Sequence, residues 1–158
     1  MKINYKKASL SDIVSMQELV LPEVESGVIL ERSSDEIATN IRSYILAYFN
    51  NELAGFCALH IHTASLAEIR SLIVKDDFRG KNIGTNLVSQ SIEEAKTLGL
   101  QKVLSLTYQQ SFFEKLGFIE IPKESLPEHK IWADCIKCIH FPVCNEVSLV
   151  YKLGKRDE

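Results

Sequence analysis

The sequence predicts a single α/β domain with helices packed on a mixed sheet, and three observations predict it. The chain has 158 residues, which on a rough prior of ~100–200 residues per domain makes one unit. Its apolar residues switch repeatedly between the two-residue period of strands and the 3.6-residue period of helices. Hydrophobic residues make up 46% and charged residues 25% of it, ordinary proportions for a chain that buries about two-thirds of its unfolded surface. Neither a repeat nor a Gly/Ser-rich linker divides it, so residues 1–158 read as one domain.

The elements follow in order. Ile3 to Ala8 is a short strand, and Ile13, Met16, Leu19 and Val20 then recur at helical spacing, with Ser11 and Asp12 suited to the first turn. Ser33 and Glu36 form a capping box ahead of Ile37 and Ile41, so a second helix is expected over about 34–43. Tyr44 to Phe49 and Leu53 to His62 are strands joined at Asn50-Asn51-Glu52, because Asn tolerates the left-handed backbone of a tight turn. Ala67 to Val74 is a further strand. After a polar loop, Ile83, Leu87, Val88, Ile92, Ala95 and Leu98 define a long helix capped by Gly99. Val103 to Leu106 is a strand, Ser111 to Leu116 a short helix stopped at Gly117, and Glu146 to Leu153 closes the pattern, giving the order β-α-α-β-β-β-α-β-α-β-β.

Charge and composition exclude several classes of function. Lys and Arg number 18 and Asp and Glu 21, a net charge of −3, which gives no general attraction to nucleic-acid phosphates or anionic lipid. The expected partner is a small molecule. No apolar run is long enough for a signal peptide or a membrane helix, so the expected location is the cytoplasm.

The most informative stretch is the loop between the fourth strand and the long helix. Arg79-Gly80-Lys81-Asn82-Ile83-Gly84 places small or left-handed-tolerant residues directly before a helix N-terminus, where free backbone N–H groups, the positive helix end and two cations suit a pyrophosphate. The competing reading is an ordinary turn with solvated charges. A P-loop is excluded because Asn82 follows Lys81 where Ser or Thr is required, and a dinucleotide fingerprint is excluded because no G-x-G-x-x-G is present.

The segment Glu68-Ile-Arg-Ser-Leu-Ile-Val-Lys-Asp-Asp-Phe-Arg-Gly-Lys-Asn-Ile-Gly84, followed by an amphipathic helix, resembles the acetyl-CoA motif of GNAT acetyltransferases, Gln/Arg-x-x-Gly-x-Gly/Ala after an apolar strand. Arg79 and Gly84 match it, and Asn82 stands at the central glycine. The element order is also that of the family. The resemblance implies the GNAT fold, a mostly antiparallel sheet splayed at strand 4, with acetyl-CoA as co-substrate. It implies cofactor contacts at Ile73, Val74, Arg79, Gly80, Lys81, Asn82, Ile83, Gly84, Thr85 and Phe112, and a possible homodimer through C-terminal strands. Five further pieces resemble the acetyltransferase module of N-acetylglutamate synthases: Gly27-Val-Ile-Leu-Glu-Arg-Ser33, Leu106-Thr107, Phe113-x-x-x-Gly117-Phe118, Leu126-Pro-Glu-His-Lys130 and Glu146-Val-Ser-Leu-Val150. The implied reaction is acetylation of the α-amino group of L-glutamate, in arginine biosynthesis, by a stand-alone short form.

In such a transfer the amine attacks the thioester directly, so the protein must align two substrates, accept a proton and polarise a carbonyl. Regular strand alternation puts Glu68, Arg70 and Leu72 on one face and Ile69, Ser71 and Ile73 on the other, although the resemblance implies a bulge here. Glu68 stands eleven residues before Arg79, the offset at which the resemblance implies a catalytic glutamate, and as a base it would benefit from a pKa raised by partial burial; the alternative is a surface or Arg-paired carboxylate. The backbone N–H of Ile73 or Val74 is the expected partner of the thioester oxygen. The tyrosine with which many relatives protonate the leaving thiolate is replaced by Phe113, and Tyr108 is a weaker substitute. For the two carboxylates of glutamate the candidates are Arg32, Arg70 and Lys130, with Ser71 adding a hydroxyl.

Cys135-x-x-Cys138-x-His140-x-x-x-Cys144 offers four soft or borderline ligands inside a loop at about 122–145. Zinc on Cys135, Cys138 and Cys144 is one reading. Against it, the Cys-x-x-Cys has no second pair, and buried thiols often serve as small apolar side chains. His60, His62 and His129 have no spacing that picks them out, and Cys57 reads as core. Two other functions remain open: acetylation of another small amine or a protein N-terminus, and non-catalytic binding of acetyl-CoA by a sensor.

Overall fold

The computed structural model describes residues 2–27, 32–122 and 147–153. The strands are β1 (Asn4–Lys7), β2 (Tyr44–Phe49), β3 (Glu52–Ile61), β4 (Leu66–Val74), β5 (Lys102–Thr107), β6 (Ile119–Ile121) and β7 (Val147–Lys152); the helices are α1 (Ile13–Glu25), α2 (Ser34–Thr39), α3 (Ile83–Leu98) and α4 (Gln110–Lys115). Their order is the expected one. They form one sheet in the spatial order β1-β2-β3-β4-β5-β7-β6, antiparallel throughout except where β4 runs parallel to β5. This is the mixed, mostly antiparallel sheet that the sequence implies.

Each face of the sheet has its own apolar layer. Cys57, Leu59, Ala67, Ile69, Val103 and Leu149 meet Ile83, Leu87, Val88, Ile92 and Ala95 of α3, whose apolar stripe is thereby buried. On the other face Tyr44, Leu46, Phe56, Ala58 and Ile73 pack under Met16 of α1 and Ile37 of α2. Side chains as buried as Leu87 and Met16 each contribute roughly 1.5–3 kcal/mol.

Three local features differ from regular expectation. α1 carries on past Val20 to Glu25, taking Pro22 into its last turns. α2 ends at Thr39 and a separate 3₁₀ turn spans Ile41–Ser43, because the Asn40 side-chain amide donates to the Glu36 carbonyl (2.9 Å) and competes with the helical ladder. The Ser33/Glu36 capping box forms as expected, with Ser33 Oγ accepting from the Glu36 N–H at 3.1 Å and Glu36 Oε1 from the Ser33 N–H at 3.0 Å.

The third feature is in β4. Phe56 pairs with Ile73 but Ala58 pairs with Arg70, so two residues of β4, Ser71 and Leu72, face Cys57 alone, and Ser71 adopts φ 57. This is a bulge, and it shifts the alternation by one residue. Leu72 therefore joins Ile69 on the α3 face, while Ile73 joins the α1 face, which corrects the grouping of Leu72 with Glu68 and of Ile73 with Ile69.

Candidate active site

The same strand opens the sheet. β4 pairs with β5 only over Leu66–Ile69, after which β4 continues with β3 alone and β5 with β7 alone. Beyond Ile69 the two parallel strands part, leaving an edge of β4 that no strand covers among the described residues. Lys75 donates to the Ala54 carbonyl (2.8 Å) and the Ile73 carbonyl lies against Gly55, so the peptide groups of Ile73 point into β3. Those of Val74 must point the other way, into the opening, and the Val74 carbonyl there accepts from Arg79 Nε at 3.4 Å. Of the two N–H groups considered for an acyl oxygen, the geometry thus presents Val74.

The loop after β4 forms a cradle at the same opening. Gly80 has φ 80 and Asn82 has φ 65 and ψ 17, so Asn82 holds the left-handed conformation that a glycine would take there. The helical ladder starts with the Asn86 N–H on the Asn82 carbonyl (3.0 Å), which leaves the N–H groups of Ile83, Gly84 and Thr85 pointing out of the helix end. A Cβ on Gly84 would lie 3.7 Å from Val74 and 3.5 Å from Phe112, so the first turn of α3, the open edge of β4 and the Phe112 ring meet at one place. Arg79, ion-paired with Asp76 (3.1 Å), and exposed Lys81 add positive charge. Outward N–H groups, a positive helix end and two cations fit a pyrophosphate-bearing cofactor such as acetyl-CoA.

On the opposite face a cavity of about 320 Å³ lies between α1, α2 and the sheet. Its wall is mostly apolar, from Met16, Val20, Leu21, Val24, Ile37 and Phe56, with Gln17, Glu18, Tyr44, Arg32 and Ser71 as the polar groups. Ser71 reaches it because of the bulge. Burial pushes the Tyr44 hydroxyl pKa up, while the charges of Arg32 and Arg70 pull it down, so both cations act on the same ring. The structure brings Arg32 and Ser71 together in the cavity wall.

The structure pairs Glu68 with Arg70, the alternative raised for this carboxylate. Glu68 is 6% exposed, and its Oε1 accepts two hydrogen bonds, from His62 Nε2 at 2.7 Å and from Arg70 Nε at 3.1 Å. Burial raises its pKa, but the His62 hydrogen bond, the charges of Arg70 and His62 and the Arg70 hydrogen bond outweigh it and hold the carboxyl below its ordinary 4.5. The expected rise is therefore corrected to a fall, because the buried carboxylate is not alone. Arg70, expected to face a substrate, is an ion-pair partner of Glu68.

Other candidates fall elsewhere. Phe113 is buried edge-on between Phe112 and Phe118, with no hydroxyl to offer, and Tyr108 is 47% exposed just beyond β5. Cys57 is core, its thiol pushed up to about 11 by burial. Lys130, His140, Cys135, Cys138 and Cys144 lie outside the described residues; among the described ones no group of three or more His, Cys, Asp or Glu side chains is placed to hold a metal. No helix among the described residues is long and apolar enough to cross a membrane.

The residue that sequence reasoning missed is His62. A signal for it existed: the short connection at residues 62–65 sets His60 opposite Glu68, so His62, two residues further on, lies beside the same carboxylate.

Comparison with known proteins agrees with this geometry. The profile of the acetyltransferase (GNAT) family matches residues 13–118. An uncharacterized N-acetyltransferase of Chlorobaculum tepidum is 35% identical over 148 residues, 94% of this chain and 95% of its own length. The amino-acid acetyltransferase of Pectobacterium carotovorum is 28% identical over 127 residues, 79% of this chain, but the match takes up only 29% of that longer protein. Among solved structures, N-acetylglutamate synthase of Neisseria gonorrhoeae, complexed with coenzyme A and N-acetyl-glutamate, superposes with a TM-score of 0.87 at 24% identity, covering 98% of this chain and 36% of that one. Family profile, near full-length relative and fold coincide, and the chain belongs to the GNAT family of acetyl-CoA-dependent N-acetyltransferases.

Proposed function

We propose that the protein acetylates the α-amino group of a free amino acid, with L-glutamate as acceptor, and so performs the entry reaction of arginine biosynthesis. The observation that carries this is the cavity holding Arg32 and Ser71, which meets the open edge of β4 at the bulge. Arg32 supplies a fork for a carboxylate, and the charge of Arg70 lies close enough to act on Tyr44 in the same wall. The names of the amino-acid acetyltransferases and of the glutamate-product complex point the same way.

Bound acetyl-CoA supplies a thioester carbonyl carbon for the amine nitrogen to attack, with CoA leaving as thiolate. The chain does the rest. Ile83, Gly84 and Thr85 hold phosphate oxygens on their N–H groups, and the Val74 N–H faces the oxygen that gains charge as the amine adds. Arg32 anchors the acceptor carboxylate, and the ammonium proton passes to Oε2 of Glu68, directly or through one water. With a thiol pKa near ~8.5 the thiolate leaves without a strong acid, so Phe113 is compatible with turnover.

The mostly apolar cavity wall favours a second acceptor class, an amino acid with one carboxylate and an apolar side chain. Both are tested by thiol release from acetyl-CoA with millimolar amino acids supplied singly. Selective release with L-glutamate is expected. Preference for leucine or methionine would replace glutamate by the second class, and no release with any amino acid would remove amino-acid acetylation altogether.

A further inference from the structure

Two donors converge on one oxygen of Glu68, one from the turn that follows β3 and one from β4. His62 Nε2 arrives from the residue just after β3 and Arg70 Nε from β4 itself, at 2.7 and 3.1 Å from Oε1. The side chains of His62 and Glu68 are 5% and 8% exposed. We propose that His62 is a positioning residue for acetyl transfer, clamping Oε1 so that Oε2 is presented to the acceptor amine. This rests on Glu68 being the proton acceptor.

The second oxygen supports it. Among the described residues no hydrogen bond ends on Oε2, yet the one fully sealed side-chain N or O atom without a partner is Ser148 Oγ. Oε2 is thus the oxygen left to accept from an amine or a water, which is what a base requires. Arg70 alone would let the carboxylate turn and share its charge between both oxygens. A donor from the turn after β3 prevents that rotation, and the edge-on packing of His60 on His62, ring centroids 4.8 Å apart, fixes the imidazole in turn.

Protonation follows from the geometry. An ionised carboxylate only accepts, so Nε2 must carry the proton and His62 cannot also receive one there; it acts through Glu68. Among the described residues, the charged and titratable groups that face Glu68 are His62 from the turn after β3, the cross-strand partner His60 from β3 and Arg70 from β4, whereas its β5 partner is Leu104. Loss of the His62 bond removes one influence that lowers the Glu68 pKa, so the acidic limb of kcat/KM must move to higher pH.

The test uses the intact protein with its best amino-acid acceptor. His62→Leu removes the donor and His62→Gln restores an N–H near the Nε2 position. Expected are a loss of kcat of about 10- to 100-fold in His62→Leu, below the ~10²–10⁴-fold that a whole positioned base contributes, an unchanged KM for acetyl-CoA, an acidic limb displaced upward, and recovery of most of kcat in His62→Gln. Wild-type kcat and an unmoved limb in His62→Leu would overturn the proposal, as would a glutamine variant no better than the leucine one. Should His62→Leu fail to fold, ¹⁵N resonances of the wild-type imidazole decide: a protonated, exchange-protected Nε2 is expected, and a bare Nε2 overturns it. Glu68→Gln separates the two levels. If that variant keeps full turnover at every pH, Glu68 is not the base; if it loses turnover while His62→Leu keeps wild-type kcat and an unmoved acidic limb, only the role of His62 fails.

Discussion

Arg32 is the described cation that lines the cavity, and its loss should be felt by one substrate only. A hydrogen bond to a charged group is worth roughly 1.5–3 kcal/mol, so Arg32→Gln is expected to raise KM for the amino-acid acceptor by about 10- to 100-fold. KM for acetyl-CoA should stay as it is, because the cradle lies on the other face of the sheet. Initial rates with each substrate varied in turn check both. Arg70→Gln should behave otherwise: it removes a bond to Glu68 and therefore acts on kcat and on the acidic limb.

The cradle shows how a single position can depart from a family pattern without losing the pattern's geometry. Asn82 sits at φ 65 where the motif has glycine, and Asn is among the few side chains that accept this conformation. A β-branched residue would not. Asn82→Val should cost ~1–2 kcal/mol of loop conformation, read as a KM for acetyl-CoA raised by about 5- to 30-fold, while Asn82→Gly should leave it near wild type. Titration of acetyl-CoA into the two variants distinguishes them. The bulge in β4 plays the complementary part, turning Ser71 toward the cavity and returning Leu72 to the α3 layer.

The molecule as a whole depends on β4 staying against β3 while leaving β5. Gly55 makes this close approach possible, since a Cβ there would stand 2.6 Å from the Ile73 carbonyl oxygen. That contact is with backbone, which cannot swing aside. Gly55→Ala should therefore destabilise by ~1–3 kcal/mol, at ~2–4 °C of melting temperature per kcal/mol for a chain of this size. It should also weaken acetyl-CoA binding by displacing the edge that carries Val74. Thermal unfolding with and without acetyl-CoA would show both effects, and an unchanged melting temperature would mean that the strands can part without loss.

Much of this was legible in the chain. The elements came in the expected order, and ten of the eleven announce themselves through close neighbours in sequence, as in the Ser33/Glu36 box, the stripe from Ile83 to Ala95 and the Asn50 turn; the three-residue β6 has no such pattern. The loop from Arg79 to Gly84 is equally local, six consecutive residues at a helix start, and the left-handed conformations of Gly80 and Asn82 fall inside it. The acceptor side was not. That Glu68 has a lowered rather than raised pKa, that Arg70 belongs to it and that His62 shares its oxygen depend on how β3 and β4 align, and a one-residue bulge then reassigns Leu72 and Ile73 to opposite faces. Periodicity along a strand says which side chains alternate; only the pairing between strands says which of them meet, and a carboxylate's chemistry is set by whom it meets.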